Sequence, residues 1–216
     1  MTGPTSNAGS ASGAAPLKRR ISLLDWPALL GIVIFCIVST ACGGNMEDPK
    51  IQLNPNASMQ YEITVNIEGL PGHFDKVAAF ANYQVSNEGC VPITPISGVK
   101  IAPIKQVNLD IVPVSDVKFR ISVFADRMLD EDYFGRGTCH WSMVATTFVG
   151  TKGRTSFVAS LDLQQILARG YETTFYASKT FEGTIPISDT GFSSKHPPTD
   201  KSSTFSISLS TSSSKL

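Results

Sequence analysis

The sequence predicts an all-β fold: an antiparallel β-sandwich of about eight short strands with one short helix, set behind an N-terminal signal helix. Three observations carry this. Apolar and polar residues alternate with a period of two in many short segments. Connections rich in Gly and Pro separate those segments. Regular strand–helix–strand alternation, which a parallel α/β sheet requires, is absent. The 216 residues suit one domain, and the 17% charged fraction is below the roughly 25% usual for soluble domains. Ser, Thr and Gly fill the difference, as in a β-protein with many turns.

In chain order, Tyr61, Ile63, Val65 and Ile67 alternate with Glu62, Thr64, Asn66 and Glu68 and give the first half-buried strand. Val77 to Val85 is a weaker second. Val107, Leu109 and Ile111 alternate with Asn108 and Asp110 until Pro113, which is expected to stop the pairing. Val117, Phe119, Ile121, Val123 and Ala125 are the clearest strand, and the PVSD stretch at 113–116 reads as the hairpin connection before it. Cys139, Trp141, Met143 and Ala145 form the next inward face, followed by Phe157, Ala159 and Leu161. Asp162 with Gln165 three residues later starts the one credible helix, and Gly170 after Arg169 stops it. Tyr171, Thr173, Phe175 and Ala177, then Phe205, Ile207 and Leu209, complete the strands. Residues 183–202 read as a long polar loop.

Ahead of the domain, residues 1–16 are small and polar, Lys18-Arg19-Arg20 follows, and the run from Ala28 to Thr40 carries no charge. Basic, then apolar, then small residues is the order of a secretory signal. The thirteen apolar-run residues fall short of the about 20 that a membrane span needs. A retained helix remains the alternative. Residues 1–16 add nothing that a signal uses, which predicts a true start at Leu17.

Ser39-Thr40-Ala41-Cys42 resembles a lipobox, the site at which bacterial lipoprotein precursors receive a diacylglyceryl group before signal peptidase II cuts. The resemblance covers about the first fifth of the chain and concerns anchoring rather than activity. It implies that 1–41 is a removable signal, that Cys42 is the lipidated residue, and that the membrane holds the protein through this N-terminal lipid. Two acyl chains anchor a protein where one barely does. By similarity to enterobacterial lipoproteins, Gly43 implies the outer membrane, with the domain facing the periplasm. Residues 42–58 are then the lipidated cysteine and a flexible tether rich in Gly, Asn and Pro. The β-domain is expected over 59–211, with 212–216 a Ser-rich tail.

Loss of the signal leaves 15 basic and 17 acidic side chains. No clustered Lys/Arg stripe remains, which argues against nucleic-acid binding. Of four cysteines, Cys36 leaves with the signal and Cys42 takes the lipid. Cys90 and Cys139 remain, as a disulfide in an oxidising compartment or as two separate buried thiols. Neither CxxC nor HxxxH spacing supports a zinc site.

The candidate site is the segment from Asp126 to Trp141, which should sit at one end of the sandwich. Asp126, Asp130, Glu131 and Asp132 place four carboxylates within seven residues, a density of oxygen ligands that can hold Ca²⁺. The spacing does not follow the EF-hand, and Arg127 and Arg136 can neutralise the cluster. A solvated turn is the plainer reading. Tyr133, Phe134 and Arg136 are residue types enriched at binding hot spots; a packed hairpin explains them equally. If Cys139 and Trp141 point inward, His140 points outward, where it can meet a carboxylate of the same loop. No G-x-S-x-G, H-E-x-x-H or phosphate-binding glycine loop occurs.

The expected function is therefore non-enzymatic: a lipid-anchored envelope protein that binds another protein. Lipoproteins of this design include secretion-system components with transthyretin-like sandwiches and periplasmic immunity proteins, a likeness of fold type alone; immunoglobulin-like sandwiches belong to the same type. The alternative, from a different class, is a periplasmic hydrolase or a Ca²⁺-dependent ligand-binding domain using the 126–140 loop.

Overall fold

A computed structural model of the chain describes residues 50–95, 97–199 and 203–212. The expected signal, Cys42 and most of the Ser-rich tail lie outside the described residues. Eleven strands are described: β1 (Gln60–Glu68), β2 (Lys76–Val85), β3 (Ile104–Leu109), β4 (Ile111–Ser115), β5 (Lys118–Phe124), β6 (Trp141–Lys152), β7 (Thr155–Asp162), β8 (Tyr171–Ala177), β9 (Ser188–Asp189), β10 (Phe192–Ser193) and β11 (Thr204–Ser212). The helix α1 (Leu163–Leu167) lies between β7 and β8. One sheet has the order β10-β8-β11-β1-β5-β4 and the other β3-β2-β6-β7-β9. All pairings are antiparallel except β7 with β9. The expected all-β sandwich with one short helix is present.

Alternation builds the core. Ile63 and Val65 on β1, Ile121 and Val123 on β5, and Ile207 and Leu209 on β11 are fully buried, and the register sets Ile63 opposite Ile121 and Val65 opposite Leu209. The facing sheet contributes Ala81, Tyr83, Phe148, Phe157 and Leu161. One end of the core is aromatic: Phe157 lies edge-on to Tyr176 and Phe205 at 5.4 and 5.1 Å, and Phe74 and Phe181 pack beside it. Buried phenols keep partners, as they must. Tyr83 donates to the Phe124 carbonyl and Tyr176 to the Val158 carbonyl, each at 2.7 Å.

Several expectations are corrected. The single strand expected across Val107–Ile111 is two strands in different sheets, because the chain crosses the sandwich at Asp110. Pro113 does not stop pairing. It lies inside β4, an edge strand whose free side needs no N–H, so the turn falls later, at 116–117, and Val117 precedes β5. Ala145 does not share the inward face of Met143. The register slips between Asn82 and Tyr83, so the extra residue Val144 reverses the parity of β6 and turns Thr146 and Phe148 inward. In β8 the register with β11 buries Thr174 and Tyr176 rather than Tyr171, which is 71% exposed. The 183–202 segment holds β9 and β10.

The tether expectation is also revised. Part of 50–58 belongs to the domain: Leu53 bridges Met128, Asn54 N–H donates to the Arg127 carbonyl at 2.8 Å, and Ile51 packs on the core. A polar, turn-rich composition hid these long-range partners.

The two outer sheet faces differ in charge. On the six-stranded sheet, Glu62 and Glu68 of β1 share the face with Lys118 and Arg120 of β5, and Arg120 approaches Glu62 at 3.9 Å. On the five-stranded sheet, cross-strand rows run Ala78–Val149–Val158, then Asn108–Phe80–Thr147–Ser160, then Gln106–Asn82–Ala145–Asp162. Charges appear there only at the rim, with Lys76 at one end and Asp162 at the other.

Candidate functional site

At the end of the sandwich where β2 and β5 finish and β6 begins, three segments meet: the incoming chain at 50–59, the described residues 86–95 and 97–103 after β2, and the 125–140 loop. The disulfide Cys90–Cys139, with Cα atoms 5.3 Å apart, joins the second to the third. Both half-cystines are buried, at 2% and 0% exposure, in a small cluster with Val85 and Val91. Tyr133, Phe134 and Trp141 pack against it. The Tyr133 and Trp141 rings meet edge to face at 6.3 Å, and the Tyr133 hydroxyl donates to the Leu129 carbonyl at 2.6 Å. Burial raises the Tyr133 phenol above its ordinary range. The Tyr133 and Phe134 side chains are half-buried, packed on this cluster on one side and open to solvent on the other.

The four carboxylates do not converge. Asp126 faces the incoming chain and accepts from the Ser58 and Met59 N–H groups at 2.8 and 3.0 Å. Burial pushes its carboxyl up, but those N–H groups outweigh this and hold it below the ordinary carboxylate range. Asp132 caps its own turn, accepting from the Arg136 N–H at 2.9 Å and the Phe134 N–H at 3.3 Å. The Arg136 N–H above all lowers the Asp132 pKa. Glu131 pairs its backbone with Cys139 and its carboxylate with Gln52 Nε2 at 3.4 Å. Asp130 alone reaches His140: Oδ2 lies 2.7 Å from Nδ1, while Oδ1 accepts the Trp141 N–H at 2.8 Å.

The structure therefore brings together Asp130 and His140, and separates Asp126 and Asp132 from both. Among the described residues, no three of His, Cys, Asp and Glu are grouped to hold a metal ion. The Arg127 guanidinium lies over the Phe124 ring at 5.9 Å. Arg136 contributes its backbone N–H.

Sequence reading missed Asn87 as a partner in this site. Its Oδ1 accepts the His140 N–H at 2.7 Å and its Nδ2 donates to the Thr138 carbonyl at 2.8 Å. Ser86 Oγ donates to the His140 carbonyl at 3.0 Å. The only signal available was proximity in sequence to Cys90, itself bonded to the residue before His140.

A shallow cleft of about 540 Å³ opens at the opposite end, between β2 and β3 on one sheet and β4 and β5 on the other, lined by Val77, Ala79, Leu109, Ile111 and Phe119 among others. No known protein family, curated protein or solved structure matches the chain.

Proposed function

We propose that this chain is a lipid-anchored cell-envelope protein whose disulfide-stapled loop end binds another protein. The observation that carries the reading is the buried Cys90–Cys139 bridge. Structural disulfides persist outside the reducing cytoplasm, which agrees with the export signal and the Cys42 lipobox. The outer membrane, with the domain facing the periplasm, is the proposed address. Lys50 is eight positions after Cys42, a reach of at most about 28 Å. The chain then joins the domain beside the loop end, through Asn54 and Ser58. A partner bound there is therefore itself close to the membrane. The loop end is stiffened by backbone and disulfide bonds, so little ordering cost would accompany docking.

Mass spectrometry of protein extracted from membranes tests the anchor. A mature chain beginning at an acylated Cys42 is expected; an intact leader or an unmodified thiol at Cys42 would defeat it. Crosslinking from envelope fractions, through a photoreactive group at exposed Arg136, tests the partner. A specific envelope protein should be captured, and a repeat finding of none removes the binding reading.

One observation favours a second reading, a periplasmic hydrolase: the exposed Asp130–His140 pair has the geometry of a carboxylate orienting an imidazole base. Ser86 Oγ donates to the His140 backbone carbonyl rather than to the ring, and the base would act on water. Hydrolysis of an ester or amide panel that His140→Ala abolishes would establish it; activity equal in the variant would end it. The Ca²⁺ reading has less support, because Asp126 and Asp132 direct oxygens to backbone N–H groups.

A further inference from the structure

We infer that the outer face of the five-stranded sheet is an interface between two copies of this chain. This goes beyond the anchor and loop readings and uses a different surface.

The face is unusual for its charge. A solvated sheet face normally carries charged side chains, and the six-stranded sheet does, with Glu62, Glu68, Lys118 and Arg120. On the five-stranded sheet the three central rows hold no charge short of Asp162 at their end. Their centre is apolar, with Ala78, Phe80, Val149 and Val158 all partly exposed to solvent. Hydroxyl and amide side chains surround them. A depleted charge content at the centre with a polar rim is the anatomy of a protein interface.

Two arguments select a second copy as the occupant. The first is symmetry. A two-fold axis brings residues near it against their own copies, so a charge there would meet its like. None stands near the centre here. The second is the placement of the rim charges. Lys76 is opposite Thr151 and Asp162 is opposite Ala145, on the two flanks of β6. The midpoint between them falls between Thr147 and Val149. A two-fold axis in the interface plane, through that point and perpendicular to the Lys76–Asp162 line, sets Lys76 of each copy over Asp162 of the other, giving two ion pairs. Asp162 is exposed, and its helix-capping bond from the Gln165 N–H at 2.7 Å leaves acceptor capacity for a partner.

The size is adequate. Four strands, β3, β2, β6 and β7, at about 4.8 Å and seven residues at about 3.3 Å give roughly 440 Å² in projection. A corrugated side-chain layer has a larger accessible area, of the order of the roughly 800 Å² that each partner buries in a standard interface.

Sedimentation velocity of the full chain in detergent, over a range of protein concentrations, tests this. A reversible dimer is expected. Val149→Glu should shift it to monomer, Lys76→Glu should weaken it about fivefold through a lost pair and a new repulsion, and Thr64→Glu on the other sheet should leave it unchanged. Ala78→Glu serves as a second central variant should Val149→Glu fail to fold, as read by its thermal melt. A chain that is monomeric at every concentration overturns the inference. So does a dimer that survives both central variants or is lost equally in Thr64→Glu, and so does a face that instead pellets with cell-wall polysaccharide or crosslinks to a different protein through Phe80.

Discussion

Asp130 Oδ2 stands 2.7 Å from His140 Nδ1, and the other oxygen of the same carboxylate accepts the Trp141 N–H. One side chain thus holds both the ring of His140 and the backbone of the residue after it, at the start of β6. The two bonds differ in consequence. The contact with the ring is exposed on both partners, and exposed side-chain pairs of this kind contribute less than about 1 kcal/mol. The backbone N–H loses its acceptor if Asp130 is truncated. Asp130→Ala is therefore expected to lower stability by about 0.5–1.5 kcal/mol, and His140→Ala by less. Urea denaturation of both variants checks the order. Equal losses would mean that the ring, and not the backbone, is what Asp130 serves.

The disulfide closes a loop with a sequence separation of 49, which the chain-entropy account values at about 4 kcal/mol. Both sulfurs are buried, so reductant should not reach them in the folded protein. Native protein in dithiothreitol is expected to keep the bond, and protein in denaturant to lose it, as counted by alkylation and mass. The Cys90→Ala, Cys139→Ala double variant should melt at a lower temperature, with the 86–103 connection exchanging amide hydrogens fastest.

Much of this fold was legible because its strands bury one face. The Ile63-Val65-Ile67, Phe119-Ile121-Val123 and Phe205-Ile207-Leu209 triplets could point only one way, and they do. Legibility failed where parity depended on a partner. Val144 is a bulge that only the register with β2 reveals, and β8 offers aromatic residues at both parities, so its pairing with β11 had to choose Tyr176 over Tyr171. The candidate site divides in the same way. Proximity of His140 to the acidic loop followed from period-two logic. That Asp126 serves Ser58 and Asp132 its own turn depended on backbone N–H groups, which the sequence does not display.

Acid should act through Asp126. Its carboxyl sits below the ordinary value of 3.8 in the folded protein, so the folded state favours the charged form. Its contribution is fully present above about 3.8 and fades as pH falls through the lower folded value. Protonation weakens the hydrogen bonds that seat residues 58 and 59 against the domain. Asp126→Asn should flatten the acid limb of the melting temperature followed from neutral pH down to about 2. Proteolysis near Ser58 should then lose its acid dependence. An unchanged acid limb would assign that dependence to the other lowered carboxyls, Asp75, Asp132 and Glu172.

Gly150 sits mid-strand in β6 opposite Val77 and Phe157, where glycine ordinarily weakens a sheet. Phe74 explains it. A Cβ at position 150 would lie 2.5 Å from the ring of Phe74, well inside contact distance, so the glycine is the floor on which that ring rests. Phe74 in turn packs at 5.9 Å from Phe157, 5.6 Å from Phe181 and 6.5 Å from Phe205, closing one end of the core. In Gly150→Ala the gain in strand propensity opposes displacement of a ring held on three sides. Overpacking costs about 1–3 kcal/mol, more than the propensity gain, so the variant should be destabilised. Gly150→Ala combined with Phe74→Leu, which withdraws the ring edge, should lose less than the two single variants summed, because the clash of the added methyl with the ring is absent from the double variant. Strict additivity in a thermal or urea double-mutant cycle would show that the ring moves aside freely and that the glycine has another cause.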